Sequence, residues 1–288
     1  MSSVIIIGAG KLGCSLGLAL QASGYSIEAI TCLHHDSAVE SGQILKVSSF
    51  FNDPELALGS GNIIFLCPPD SQIKPLVRRL AKKKVDWSRY LVYHTSGLLS
   101  SAVLYPLKKQ GAKVASFHPI QSFACKQTPP SHWKGIFITL EGDEEAIAEA
   151  RKIIRTIGAH PLLIDQKNKP LYHAACSLAS NHFISLFSLA VEILKEAGFE
   201  ELQAIKTLKP LVHGTWKNLK LTCPGLALTG PIVRGDLMTI RQHLEALQDF
   251  PLALKIYQQL SLVALSIAEK RGLKSSQIKA LKRWLQDK

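Results

Sequence analysis

Three glycines in the stretch VIIIGAGKLG constrain the fold of this chain more than any other feature. Gly8, Gly10 and Gly13 follow four apolar residues and open a helical pattern, which is the spacing GxGxxG between a strand and a helix. Gly8 permits a tight turn, Gly10 lets backbone approach a pyrophosphate, and Gly13 lets helix and strand pack closely. We predict a dinucleotide-binding loop, with an ordinary glycine-rich turn as the alternative. Its contact residues would be Gly8, Ala9, Gly10, Lys11, Leu12 and Gly13.

Short apolar runs alternate with helical patterns through the first half of the chain. The predicted strands cover residues 4–7, 26–32, 46–50, 62–67, 90–94, 113–117, 135–140 and 160–164. The predicted helices between them cover residues 11–23, 36–42, 71–83, 98–110 and 143–157. Such alternation is typical of βαβ units. We therefore predict an α/β fold with a Rossmann-like, doubly wound and mostly parallel sheet.

The pattern changes at the polar stretch DQKNKP, residues 165–170. Pro170 suits the first turn of a helix and Gly198 suits its end, so one long helix is predicted between them. Further helices are predicted over residues 201–219, 237–249, 251–271 and 275–286. We predict two domains, a dinucleotide-binding domain over residues 1–166 and an all-helical substrate and dimerisation domain over residues 167–288.

The choice of cofactor depends on the end of the second strand. Enzymes that bind NAD usually carry Asp or Glu there, about 20 residues after the glycines. The sequence TCLHHD has no acid at that point, and Asp36 comes late. With His34 and His35 nearby, we favour NADP over NAD, although both histidines could be loop residues without contacts. Three residues that follow later strands are further candidate cofactor contacts: Cys67, Pro68 and Thr95.

Polar groups also follow the fifth and sixth predicted strands. Ligands of open α/β sheets bind beyond the carboxyl ends of the strands. In YHTSG, Ser96 is a candidate ligand for a substrate carboxylate or carbonyl, and the alternative is a turn that caps the next helix. In FHPIQSF, His118 and Gln121 are candidate catalytic and substrate-binding residues. Either cluster alone could be structural, but two at successive strand ends favour a shared cleft.

The stretch LYHAACSLASNHF carries His173, Ser177 and Asn181 four residues apart, on one stripe of a helix. A water-facing stripe would carry long charged side chains, whereas small neutral groups suggest a dry surface where each needs a partner. We predict that this stripe borders the reactive ring of the cofactor, against the alternative of inter-helix packing. In ALTGPIVRGD, Arg234 is a candidate for binding a substrate carboxylate, or a solvent-exposed side chain.

Charge and composition limit the classes of partner. The net charge of +12 comes with no recognisable nucleic-acid motif, so we expect a basic surface that favours anionic ligands and no nucleic-acid partner. The six cysteines are scattered without a CxxC pair, which favours reduced thiols in the cytoplasm and no metal site. No signal peptide and no uncharged apolar run of about 18 residues is found, so no membrane contact is expected.

Five motifs in order give the chain a family resemblance: IIIGAGKLG, HTSGLLSSAVL, FHPIQSF, YHAACSLASN and LTGPIVRGD. Together they resemble a family of two-domain Rossmann-like oxidoreductases whose helical C-terminal domain was formerly of unknown function. This family is related to pyrroline-5-carboxylate reductase, the β-hydroxyacid dehydrogenases and the second type of ketopantoate reductase. The resemblance implies an NADP-binding first domain and a homodimer formed through the helical domain.

One departure from these relatives affects the mechanism. β-Hydroxyacid dehydrogenases carry a catalytic Lys followed four residues later by Asn, and this chain has Ser177 in the Lys place with Asn181 in the Asn place. The proton donor must therefore come from elsewhere, with His173 as first candidate and His118 as second. An unperturbed imidazole titrates at about pH 6.5 and can carry a proton near neutrality.

We therefore hypothesise an NADPH-dependent reductase of a small 2-oxo acid, with 2-dehydropantoate as the first guess. Two alternatives stay open: an imine reductase of the pyrroline-5-carboxylate type, and a non-catalytic NADP-binding sensor or interaction protein.

Overall fold

The computed structural model describes residues 3–286. The chain divides into two compact units, of which the first ends at His182 and the second begins at Phe183.

The first unit is built on one eight-stranded sheet. Its strands are β1 (Ser3–Ile7), β2 (Ser26–Thr31), β3 (Phe50–Phe51), β4 (Ile63–Leu66), β5 (Leu91–His94), β6 (Lys113–Pro119), β7 (Phe137–Gly142) and β8 (His160–Leu163). Their order across the sheet is β3-β2-β1-β4-β5-β6-β7-β8. All neighbours are parallel except β6 and β7. The prediction of a doubly wound, mostly parallel sheet is confirmed.

Helices cover both faces of this sheet. They are α1 (Lys11–Ala22), α2 (His35–Leu45), α3 (Asp70–Leu80), α4 (Tyr105–Lys108), α5 (Glu144–Thr156) and α6 (Lys169–Ala179). Leu16 of α1 and Ile153 of α5 belong to one apolar core, and Ile73 of α3 belongs to a second. Because β1 and β4 are buried between these two cores, their sequences are almost wholly apolar, as is usual for central parallel strands.

The strand order reverses between β1 and β4, which makes this the switch point where open α/β sheets bind ligands. The carboxyl ends of β1, β4, β5 and β6 lie along the same edge because these strands are parallel. Neighbouring strands are about 4.8 Å apart, so the end of β5 lies about 10 Å from the glycine loop that follows β1. The polar residues that the sequence places at the ends of these strands therefore lie along one edge of the sheet.

The second unit is helical. It contains α7 (Asn181–Glu196, whose first two residues fall in the first unit), α8 (Glu201–Leu221), α9 (Pro224–Ala227), α10 (Pro231–Arg234), α11 (Leu237–Ala246), α12 (Pro251–Lys270) and α13 (Ser275–Gln286). Ile240, Leu265 and Leu281 belong to its core. Between residues 183 and 286 the structure has helices and connecting segments without a strand, so the predicted helical C-terminal region is confirmed.

The predicted long helix over residues 170–198 is divided. Ser180 has a distorted backbone, with φ −119° and ψ −74°, and interrupts the helix, so α6 ends at Ala179 and α7 begins at Asn181. Ser and Asn side chains compete for backbone hydrogen bonds and favour helix ends. His173 and Ser177 thus share α6, whereas Asn181 starts the next helix. The expected single stripe of three residues is wrong in that respect.

Two shorter elements also differ from expectation. In place of a helix over residues 98–110 there is a 3-10 turn, Ser101–Leu104, followed by the four-residue α4. Glu141 binds the Ser101 N–H and hydroxyl, both at 2.7 Å, which holds this segment in the turn. The third strand is only Phe50–Phe51, because α2 runs on to Leu45 and Lys46 follows in the left-handed conformation.

The boundary between the two compact units also lies further along the chain than the predicted domain boundary between residues 166 and 167. Helix α6 groups with the sheet because its first residue, Lys169, is 0% exposed and bonded to the sheet. The four outermost residues of the predicted domains, 1–2 and 287–288, lie outside the described residues.

Two helical stretches have the length and apolar composition of a membrane-crossing helix. They are Gln166–Glu196 and Pro251–Lys270, and 6% and 22% of their most apolar windows are buried. The first contains the break at Ser180. Both stretches therefore leave apolar surface exposed.

Candidate active site

The glycine loop after β1 needs glycine for backbone reasons at two positions. Gly8 has φ +93°, and a Cβ there would lie 2.7 Å from the Pro68 nitrogen. A Cβ on Gly13 would lie 2.6 Å from the Gly8 carbonyl oxygen. The close contact at Gly8 also brings the residues after β4, Cys67 and Pro68, against the loop.

Gly10 is different, because a Cβ there would meet nothing within 4 Å. It forms the N-cap of α1, with no side-chain cap and no acidic residue in the first turn. The first N–H groups of α1, from Lys11 onward, therefore have no side-chain partner and can bind an anion. Ala9 fixes the loop, since its N–H donates to the Thr31 carbonyl at 2.9 Å. Open space beside Gly10 and unpartnered N–H groups fit the pyrophosphate of a dinucleotide.

The end of β2 carries exposed histidines and no carboxylate. Thr31 is buried, and the exposed His34 forms the N-cap of α2 without a side-chain hydrogen bond. His35 is also exposed, and Asp36 lies inside the first turn of α2. The residues that would face the adenosine ribose are therefore basic or neutral.

Sequence reasoning missed a cation beside this region. The Lys126 ammonium bonds the Ser37 hydroxyl at 2.8 Å, Glu40 at 2.6 Å and the Ser41 hydroxyl at 3.1 Å. The Ser41 hydroxyl in turn donates to the Ala9 carbonyl at 2.8 Å. Lys126 thus ties the segment after β6 to α2. No local signal marks it, because its partners lie more than 80 residues away.

The remaining cofactor candidates differ in accessibility. Cys67 and Pro68 are half-buried at the glycine loop, and burial raises the pKa of the Cys67 thiol to about 12, which keeps it neutral. Thr95 is only 7% exposed, and its hydroxyl donates to the Leu66 carbonyl at 3.4 Å. Their contact with a cofactor stays a prediction.

Hydrogen bonds within loops occupy two of the predicted substrate ligands. The Ser96 hydroxyl donates to Asp70 at 2.7 Å and accepts from the N–H groups of Leu98 and Leu99 at 3.2 and 2.9 Å. Gln121 is exposed, and its side-chain oxygen accepts a hydrogen bond from the Ser122 N–H at 2.8 Å. For Ser96 this geometry favours the alternative of a turn after β5 over binding of a carboxylate.

Arg234 lies in the second unit, exposed at the end of α10. The following Asp236 caps α11 by accepting from the Thr239 N–H at 3.1 Å, as its position in the sequence predicts. Ser177 is half-buried on α6, and Asn181 is exposed at the start of α7. The roles predicted for all three site residues stay predictions.

Two imidazoles converge above Gly97, the residue that ends the polar segment after β5. A Cβ on Gly97 would overlap His173 Nδ1 and would lie 2.7 Å from His118 Nε2. The two rings are edge to face, with their centroids 5.7 Å apart. His173 Nδ1 is buried and has no hydrogen-bond partner among residues 3–286. The first and second candidate proton donors therefore lie together, at the same sheet edge as the glycine loop.

Tyr172, which sequence reasoning also missed, fixes the His118 ring. Its hydroxyl lies 2.6 Å from His118 Nδ1 and accepts from the Thr139 hydroxyl at 3.2 Å. The Thr139 hydroxyl also lies 3.4 Å from the His118 carbonyl oxygen. With Thr139 donating to the phenol oxygen and the phenol donating to Nδ1, we assign the proton of a neutral His118 to Nε2, the nitrogen near Gly97 and His173.

Burial lowers the pKa of His118 to about 3, and the positive charge of Lys169 adds to this effect. His118 is therefore neutral near pH 7. That is a correction to its candidacy as an imidazolium acid: it can donate a hydrogen bond from Nε2 but holds no extra proton to transfer. His94, at the end of β5, has a pKa of about 3 for the same reasons, burial first and Lys169 second.

Known proteins share this architecture. Residues 1–119 match the model of a Rossmann-like domain, and residues 136–264 match DUF2520, a domain of unknown function. The chain therefore carries a match to a Rossmann-like domain followed by a match to a DUF2520 domain. The DUF2520 match begins just before β7, so it includes two strands and α6 as well as helices of the second unit. The resemblance inferred from the five motifs is confirmed at this level.

Three solved structures illustrate the similarity. A candidate NADP oxidoreductase from Bacteroides fragilis is 25% identical, with 92% of this chain and 98% of that chain covered and a TM-score of 0.76. A Thermotoga maritima protein is 24% identical, with 93% and 99% covered and a TM-score of 0.71. A pyrroline-5-carboxylate reductase from Coxiella burnetii is 18% identical, with 97% and 98% covered and a TM-score of 0.54. The last two share the fold. No curated protein matches the chain.

Stability should depend on pH through the two neutral histidines. An unfolded histidine binds a proton at about pH 6.5, whereas His94 and His118 stay neutral in the fold down to about pH 3. The unfolded state therefore binds more protons in this window, and stability falls as the pH is lowered. We expect a loss of about 1 kcal/mol for each histidine between pH 7 and pH 5.5, above the range where carboxylates titrate.

Chemical denaturation at several pH values measures this. In His118→Gln, the change in unfolding free energy between pH 7 and pH 5.5 should be about half of that in the wild type. In His160→Gln, at an exposed site, this change should equal that of the wild type. An unfolding free energy that stays flat between pH 7 and pH 5.5 would contradict the assignment of two neutral histidines.

Gly97→Ala tests the convergence of the two rings. The added methyl group overlaps His173 and must push at least one imidazole aside, so we expect a destabilisation of about 1–3 kcal/mol. The imidazole NMR signals of His118 and His173 should shift. Gly214→Ala is the control, because a Cβ there meets nothing within 4 Å. Unchanged imidazole signals in Gly97→Ala would show that the rings do not meet at this glycine.

Proposed function

We propose that the chain is an NADPH-dependent reductase of a small 2-oxo acid, with 2-dehydropantoate as the first substrate to test. One observation carries the proposal: two imidazole nitrogens meet above Gly97, at the sheet edge that also bears the glycine loop. The description of the Bacteroides fragilis protein as a candidate NADP oxidoreductase supports the cofactor. The absence of an acid at the end of β2, together with His34 and His35, favours NADPH over NADH.

The two histidines would have different tasks. When bound, NADPH supplies a hydride to the carbonyl carbon of the substrate. His173 donates a proton to the carbonyl oxygen, which becomes the hydroxyl of the product. His118 remains neutral and donates a hydrogen bond from Nε2 to the same oxygen as negative charge develops on it. A neutral imidazole can serve in this way because its N–H is already oriented by Tyr172.

Other residues would hold the substrate. Ser177 lies one turn after His173 on the same half-buried face of α6, where its hydroxyl can orient the carbonyl. Asn181 is proposed for the same task. Arg234 is the proposed carboxylate ligand, because an exposed guanidinium makes forked pairs with carboxylates. Ser96 is the weaker candidate, because its hydroxyl proton already goes to Asp70.

The decisive experiment follows the absorbance of NADPH with the purified chain and a panel of 2-oxo acids and cyclic imines. In the wild type we expect oxidation with a 2-oxo acid. His173→Gln should lower turnover by roughly 10²–10⁴-fold, as loss of a proton donor does, with little change in the affinity for NADPH. His160→Gln should retain full turnover, because that histidine is exposed on β8.

Each other outcome points to a different function. Oxidation with cyclic imines alone would establish the imine reductase. Binding of NADPH without oxidation by any substrate would favour a sensor. Near-normal turnover in both His173→Gln and Asn181→Ala would remove this helix pair from the mechanism.

We also propose that a second copy of the chain covers the apolar surface of the helical unit. Ile184 of α7 is 65% exposed, and Leu211 and Trp216 of α8 are 66% and 57% exposed. Patches of this kind are usually interaction sites. We expect a dimer in sedimentation, and a weaker one for Ile184→Glu, with Lys206→Glu on the exposed part of α8 as the control. A monomer that pellets with lipid vesicles would contradict the dimer and favour a membrane surface.

A further inference from the structure

We propose that Lys169 is the positioning residue of the active site: its buried ammonium joins α6 to the ends of β5, β6 and β7 and so places His173 and His118 above Gly97. This inference rests on the proposed function for its catalytic consequence and on geometry for the rest. Lys169 is not itself a catalytic residue, because it is 0% exposed and out of reach of any substrate.

Three groups surround the Lys169 ammonium, one from the segment after β5, one from β6 and one from β7. It donates to the Ser96 carbonyl at 3.2 Å and to the Ser116 hydroxyl at 2.5 Å, and Glu141 lies at 4.0 Å. Ser96 is the residue before Gly97, and Ser116 lies two residues before His118 on the same face of β6. The Lys169 ammonium is therefore bonded to residues that adjoin both Gly97 and His118 in the chain.

Helix α6 contacts two paired positions of the antiparallel strands β6 and β7. Ser116 pairs with Glu141 in the sheet register, and His118 pairs with Thr139 two residues further on. Lys169 contacts the first of these residue pairs, Ser116 and Glu141. Tyr172, one turn later, contacts both members of the second pair, His118 and Thr139. His173 is the next residue. The two anchors therefore set both the rotation of α6 and its height above the sheet, which fixes where the His173 ring lies.

The position of Lys169 in the helix supports a specific role. A cation in the first turn of a helix is disfavoured by the helix dipole, and burial without a partner would make it costlier. Burial lowers the pKa of Lys169, while the carboxylates of Glu141 and Asp70 oppose that effect. Retaining such a lysine makes sense where its charge and its three donors are needed together.

Lys169 interacts electrostatically with ionisable groups on four neighbouring elements: His94 on β5, His118 on β6, Glu141 on β7 and Asp70 on α3. Tyr172 and His173 are the ionisable groups nearest in sequence on α6 itself. A positive charge at this point disfavours protonation of His94 and His118. Lys169 therefore also keeps His118 in the neutral form that donates from Nε2.

The main test removes both charges of the buried pair, because a single substitution would leave the other charge unpaired. In Lys169→Met/Glu141→Gln we expect turnover to fall by roughly tenfold or more, as for a reacting group misplaced by about 1 Å, with NADPH affinity within about twofold. NMR titration of the imidazoles should show His118 gaining a proton at higher pH than in the wild type. Lys167→Met is the control, since that exposed lysine lies two residues away.

Ser116→Ala keeps the charges of Lys169 and Glu141 and removes the hydroxyl that accepts from Lys169. This variant replaces the double variant as the test if the double variant does not fold. It should shift the imidazole signals of His118 and His173 and lower turnover by a smaller factor. Wild-type turnover together with wild-type His118 titration in the variant that folds would overturn the proposal. If the wild type oxidises no NADPH, the proposed function fails alone, and the NMR titration still decides whether Lys169 positions the two rings.

Discussion

A buried positive charge that must find partners determines the arrangement of the site. The Lys169 ammonium is removed from water, and its burial is compensated by hydrogen bonds to Ser96 and Ser116 and by the carboxylates of Glu141 and Asp70. Ser96 follows β5, Ser116 lies on β6 and Glu141 on β7, so these groups meet only when the three strands are neighbours in the observed order. Helix α6 can therefore attach in one way, and the residues one turn further along are placed by the same contact.

The two imidazoles above Gly97 are chemically unequal although they are neighbours. His118 is tied to Tyr172 through Nδ1 and kept neutral by burial and by Lys169, so it offers one oriented N–H. His173 has a buried Nδ1 with no partner among the described residues, and such a polar atom needs a ligand to compensate its loss of water. A pair with one fixed donor and one unpaired nitrogen suits a carbonyl oxygen that first accumulates charge and then accepts a proton.

The sequence was sufficient to predict the sheet, the glycine loop and the polar strand ends, because these depend on short-range patterns. Gly8 and His118 follow apolar strands, and parallel strands bring their ends together whatever the side chains do. Lys169, Tyr172 and Lys126 were missed because their partners are 28 to 89 residues distant and belong to other elements. Only Lys169 carried a usable signal, as a cation at the start of a helix where the dipole disfavours it.

The position of the break at Ser180 explains why the site does not coincide with the predicted domain boundary. The sequence change near residue 166 marks the end of the sheet, but α6 remains attached to it, and the compact unit ends only after His182. Gly97, His118 and His173 therefore belong to the same unit as the glycine loop. The spacing between the dinucleotide loop and His173 is therefore set within this unit, by the strand order and by the contacts of Lys169 and Tyr172 that attach α6 to the sheet.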